Sequence, residues 1–143
     1  MDLTYTITAN TLRGLIQKEI STVAFRARTD SGDSLFDTVK TTSRDNGILD
    51  SYVEEAVNNI LVRLTDMDPS YASSQIKITA PDIDSTTGAL VPDAIEDYLI
   101  KYAVAFWLLR TYPSVGDFYK AQADTAMERL VSLVRHRQTP QRP

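Results

Sequence analysis

Few residues in this chain have types and spacings that could do chemistry. The single histidine, His136, stands in "RHRQ", after the last apolar run. A catalytic histidine needs a nucleophile and an orienting acid within hydrogen-bond reach. No such pair is patterned around His136, so it reads as a solvated residue at a helix end. There are no cysteines, which removes thiolate nucleophiles, disulfides and thiolate metal ligands and permits a reducing compartment. Neither a glycine-rich phosphate loop nor an HExxH zinc pair is present.

The string closest to a metal site is "DIDSTTGALVPD". Asp82, Asp84 and Asp93 fall where the first, third and twelfth ligands of a calcium loop would stand. Thr87, however, occupies the sharp-turn glycine position and Thr86 replaces a further carboxylate, so the string reads as a polar turn. Tyr98, Tyr102, Tyr112 and Tyr119 suit packing with a polar handle better than base stacking. Catalytic, cofactor-binding and metal-binding residues are therefore all expected to be absent.

Charge is the next guide. The net charge is −4, but through Glu128 the chain has eleven Lys and Arg against nineteen Asp and Glu. Arg129, Arg135, Arg137 and Arg142 follow with no acid. An acidic body with a basic end argues against a duplex-reading domain, which needs a basic face, and makes Arg135, Arg137 and Arg142 candidates for a partner-binding tail. Arg129, Arg135 and Arg137 would also complement a helix dipole. The N-terminal "MDLTYTITAN" has neither the basic start nor the apolar core of a secretory signal. A composition that is 43% hydrophobic and 24% charged suits one folded domain, expected over 1–137, with an extended tail at 138–143.

Four helices are predicted from apolar spacing, giving a mostly α fold: a small bundle with a short two-stranded hairpin between the second and third helices. The first covers 11–27, with Leu12, Ile16 and Ile20 on one side. A long polar loop at 28–47 follows, of a length that often serves function. The second, 48–66, carries the stripe Leu49, Val53, Val57, Ile60 and Leu64. "QIKIT" and the apolar triplet Ala89-Leu90-Val91 are expected to pair as the hairpin. Pro92 opens the third helix and Pro113 stops it near Thr111. The fourth runs over 115–137, joined by "YPSVG" and antiparallel to the third, with Phe118 or Tyr119 on its apolar stripe.

The third helix contains "YLIKYAVAFWLL". Between Lys101 and Arg110 only eight uncharged residues intervene, whereas a bilayer span needs about 20; no membrane is expected. A helix apolar nearly all round must be covered nearly all round. Ile100, Val104, Trp107 and Leu108 either close the chain's own core or seal it to another subunit.

The order of parts, "DNGILDSYVEEAVNNILVRL", a hairpin-like connector, "AIEDYLIKYAVAFWLLRTYP", then "FYKAQADTAMERLVSLVRHR", resembles the head–tail connector (adaptor) proteins of tailed bacteriophages. The likeness spans 45–137 and leaves the Ser/Thr-rich 28–47 stretch unmatched. It implies a structural virion protein of the phage neck, made in the host cytoplasm. Such proteins form a homo-oligomeric ring, usually of twelve copies, between the portal protein and the next neck or tail ring. Double-stranded DNA would pass through without specific binding, and no cofactor or catalysis is implied. Two other readings stay open: a nucleic-acid-binding packaging subunit using the basic end, and a helical bacterial interaction protein unrelated to phage.

Overall fold

The computed structural model describes residues 2–80 and 83–135. Its elements, in chain order, are strand β1 (Asp2–Thr6), helix α1 (Ala9–Arg26), a short helix α2 (Phe36–Val39), α3 (Asn46–Arg63), β2 (Ser70–Ala72), β3 (Gln75–Thr79), a short helix α4 (Ser85–Gly88), α5 (Val91–Thr111) and α6 (Pro113–Val134). The mostly α architecture with four long helices agrees with the sequence reading. The β component differs.

β3 is the predicted "QIKIT" strand, but it lies in the middle of a three-stranded antiparallel sheet of order β1-β3-β2. Leu3 faces Ile78 and Tyr5 faces Ile76 across β1 and β3, and Tyr71 faces Ile76 across β2 and β3. Leu3, Ile76 and Ile78 are buried, so one side of the sheet supplies apolar side chains to the core, as period-two alternation requires. Ala89-Leu90-Val91 is not a strand. Asp84 accepts a 2.6 Å bond from the Thr87 amide and caps α4, and Pro92 sits in the first turn of α5, where its fixed φ favours helix.

α5 is the hub. It packs on α1, α2, α3, α6 and β1. Its Ile95, Leu99, Val104 and Leu108 are fully buried, each such burial contributing about 1.5–3 kcal/mol. α1 contributes Leu12, Ile16, Ile20 and Ala24, and α3 contributes Leu49, Val53, Ala56, Val57 and Ile60, both at the three- and four-residue spacing of one helical face. Among the described residues no buried side-chain nitrogen or oxygen lacks a hydrogen-bond partner.

The 28–47 stretch is more ordered than a loop. Arg28 and Ser34 form an isolated β-bridge, α2 follows, and Thr42 and Asp45 build a reciprocal capping box over a 3₁₀ turn that leads into α3. Buried Val39 plugs the stretch into the core, and its carbonyl accepts a 2.6 Å bond from Trp107 Nε1. The expected five-residue link between the last two helices shrinks to Tyr112, whose extended φ of −150° interrupts them. Pro113 starts α6 instead of merely stopping α5, because a missing N–H is harmless in a first turn.

Candidate functional site

Over its described residues, 83–93, the calcium-like string is taken up by α4 and the start of α5. Asp84 is committed to capping α4, Asp93 lies in the first turn of α5, and Asp82 falls outside the described residues. Among the described residues no cluster of three or more His, Cys, Asp or Glu could hold a metal ion. His136 lies outside the described residues.

The sequence leaves two readings for Ile100, Val104, Trp107 and Leu108, and packing within the single chain places Val104, Trp107 and Leu108 in its own core. Val104 and Leu108 are wholly buried, and Trp107 is 5% exposed. The α1, α2 and α6 helices and the Val39 carbonyl cover what the sequence left uncovered. Ile100 is half-buried against the same core. Val104, Trp107 and Leu108 are therefore not free to meet a neighbour without unfolding part of the subunit, whereas Ile100 keeps part of its surface open.

Of the tail arginines, Arg135 is exposed at the end of α6 and donates from Nη2 to Asp66 Oδ1 at 3.1 Å. Arg137 and Arg142 lie outside the described residues. The four tyrosines read as packing residues each make a polar contact. Tyr98 is buried and its oxygen accepts from Asn59 Nδ2 at 3.3 Å. The Tyr112 hydroxyl donates to the Arg28 carbonyl at 3.4 Å, and Tyr102 and Tyr119 donate to glutamates.

Those glutamate contacts belong to a set that sequence reading did not find. Tyr5 of β1 donates to Glu96 of α5 at 3.1 Å. Tyr71 of β2 donates to Glu54 of α3 at 3.1 Å. Tyr102 of α5 donates to Glu55 of α3 at 3.2 Å, and Tyr119 of α6 donates to Glu19 of α1 at 2.6 Å. Each bond ties two elements. Burial, reinforced by the adjacent carboxylate, holds the Tyr5 and Tyr119 phenols well above their ordinary range, and burial raises Tyr71, Tyr98 and Tyr102 in the same direction. The partners come from distant parts of the chain, so no local spacing announces them. Beside this set the rings of Tyr52, Phe106, Tyr102 and Tyr98 form a ladder with successive centroids 6.1, 4.4 and 5.8 Å apart. This is the seam of α3 on α5.

A groove of about 390 Å³ lies open between α5 and α6. Asp97 and Lys101, ion-paired at 3.1 Å, line the α5 bank, and Phe118, Gln122, Thr125 and Arg129 line the α6 bank. The residue assigned to the apolar stripe divides accordingly: Tyr119 turns toward α1, and Phe118 is 60% exposed. Successive helical residues diverge by about 100°, and here Tyr119 takes the inward direction while Phe118 takes the outward one. The helical spacing of Phe118, Gln122, Thr125 and Arg129 is the signal that could have located this bank.

Fold and surface together define a small, mostly α-helical protein with an open helix–helix groove and no helix, among the described residues, long and apolar enough to cross a membrane. Compared with protein-family models, curated proteins and solved structures, the chain matches none.

Proposed function

We propose that this protein works by protein–protein binding, as a ring-forming connector of a tailed-phage neck seated between the portal and the next ring. The observation that carries the reading is the open groove beside exposed Phe118 on the α5–α6 hairpin. A subunit whose own core is complete still offers an amphipathic face at which a neighbour can pack. The order of α3, a small β element, α5 and α6 supports the family resemblance, and the excess of acid through Glu128 suits a surface past which DNA must slide without sticking. In this reading the helices build the ring, while the 28–47 stretch and the basic end reach adjacent rings.

The test is co-assembly with the portal ring encoded in the same genome. Purified protein is mixed with assembled portal and examined by sedimentation and electron microscopy. An additional ring on the tail-side face of the portal is the expected result, and DNA affinity at moderate salt should be negligible. Failure to bind that portal ring sinks the reading. Tight, salt-sensitive DNA binding would move it to the packaging-subunit alternative.

A further inference from the structure

The two edges of the sheet differ in what they leave unpaired. β2, at one edge, is three residues long. Pro69, which has no N–H, precedes it, and Ser73 and Ser74, at φ of 52° and 61°, turn the chain directly into β3. In a two-residue hairpin of this kind Ala72 and Gln75 form a hydrogen-bonded pair, so within β2 only Tyr71 directs its N–H and C=O away from β3. Shortness and proline blunt that edge.

β1, at the other edge, has five residues and no proline. Just beyond it the Ile7 amide donates to the Ser74 carbonyl at 2.7 Å. Antiparallel pairs alternate between bonded and non-bonded, so in this register Tyr5–Ile76 and Leu3–Ile78 are the next bonded pairs. Asp2, Thr4 and Thr6 therefore point their N–H and C=O groups away from β3. Among the described residues no backbone bond from another element takes up Thr4 or Thr6, and the side chains of Asp2, Thr4 and Thr6 are exposed. The one charge on the strand, Asp2, is neutralised by Lys77 of β3 at 3.3 Å. An edge without proline or a free charge is open to another strand.

We infer that β1 pairs antiparallel with β1 of a second copy of this chain, across a two-fold axis at Thr4, doubling the three-stranded sheet. The edge is complementary to itself. Centred on Thr4, Thr4 opposes its own copy and Asp2 opposes the copy's Thr6, so every outward group of the strand is matched, in about six interchain hydrogen bonds. Thr–Thr pairs across strands are favourable, and no like charges face each other. Centring on Leu3 leaves Thr6 unmatched and centring on Tyr5 leaves Asp2 unmatched, so the neighbouring two-fold registers form fewer bonds. On the other side of the strand Leu3 comes opposite the copy's Tyr5. A two-fold contact closes with two copies and builds no ring, so the inference describes the free protein and does not rest on the connector reading.

Two measurements on the full chain test it. Sedimentation equilibrium over a rising concentration series should show monomers passing to dimers and no further. Over the same series, amide exchange followed by NMR should show Thr4 and Thr6 gaining protection that they lack in the dilute protein. Thr4→Pro removes an outward N–H and spares the ladder to β3, and Thr4→Lys keeps the backbone but sets two like charges opposite each other. Circular dichroism checks that each variant keeps its fold. Both should stay monomeric at concentrations where the parent is dimeric. Mixing Thr4→Lys with Thr4→Glu should restore dimers, because position 4 opposes only itself in this register. A parent that is monomeric at its highest soluble concentration overturns the inference and leaves the edge to an extended segment of another protein. So does a dimer in which Thr4 and Thr6 stay unprotected, a Thr4→Lys protein that dimerises like the parent, or a mixture of the two charged variants that stays monomeric. Portal binding is scored apart and does not decide this contact.

Discussion

Gly116 decides how closely the α5–α6 hairpin can fold, and replacing it separates helix propensity from packing. Gly116 is buried in the first turns of α6. A Cβ built there would lie 2.5 Å from the Leu109 nitrogen and 2.8 Å from the Leu108 carbonyl carbon. Both are backbone atoms inside α5, so no side-chain rotation can relieve the overlap. Propensity alone favours alanine over glycine within a helix by about 1 kcal/mol. Overpacking against atoms that cannot move aside typically costs about 1–3 kcal/mol, and here it also pushes α6 away from the element on which it chiefly packs. Gly116→Ala should therefore lose about 1–2 kcal/mol net, a fall in Tm of roughly 3–8 °C for a chain of this length. Gly14, in the exposed face of α1, has nothing within 4 Å of its would-be Cβ, so Gly14→Ala should gain up to about 1 kcal/mol. Urea and thermal unfolding followed by far-ultraviolet circular dichroism measure both. A Gly116→Ala protein as stable as the parent would refute the close-approach argument, as would equal losses at Gly14 and Gly116.

Two further perturbations probe the ties between elements. Trp107→Phe removes the donor to the buried Val39 carbonyl and should destabilise by about 1–3 kcal/mol. Limited proteolysis should then cut faster within 28–45; an unchanged cleavage rate would mean that Val39 alone anchors the stretch. Tyr119, held protonated by burial and by Glu19, predicts an alkaline dependence. Its folded-state pKa lies above the unfolded value of 10.0, so its stabilisation is complete below pH 10 and declines as pH rises past it. Tyr119→Phe should flatten that decline in urea midpoints taken across the alkaline range, and an equally steep loss in the variant would contradict the assignment.

How much was legible in advance follows from the range of each interaction. The stripes of α1, α3 and α6 repeat every three or four residues, so local spacing revealed four helices. Pro92 and Pro113 marked helix termini by chain geometry, although Pro113 could equally have ended one helix or begun the next. The close approach of α5 and α6 around the single residue between them, with Gly116 against the α5 backbone, shows only in the tertiary structure. β1 was missed because five residues of alternating character are a weak signal; the strand is held by pairing with β3, about seventy positions away. Separations from 17 to 100 positions likewise hid the tyrosine–glutamate bonds.

By itself, then, the sequence determined the helical class, the apolar faces and the acidic balance, because these depend on residue type and on periodicities spanning a few neighbours. Only the tertiary structure decided which apolar residues were surplus. It enclosed Val104, Trp107 and Leu108, since α1, α2 and α6 converge on α5 from distant parts of the chain, and it left Phe118 and Val62 in solvent. Burial depends on what the rest of the chain brings near a helix, and helical spacing contains no record of that.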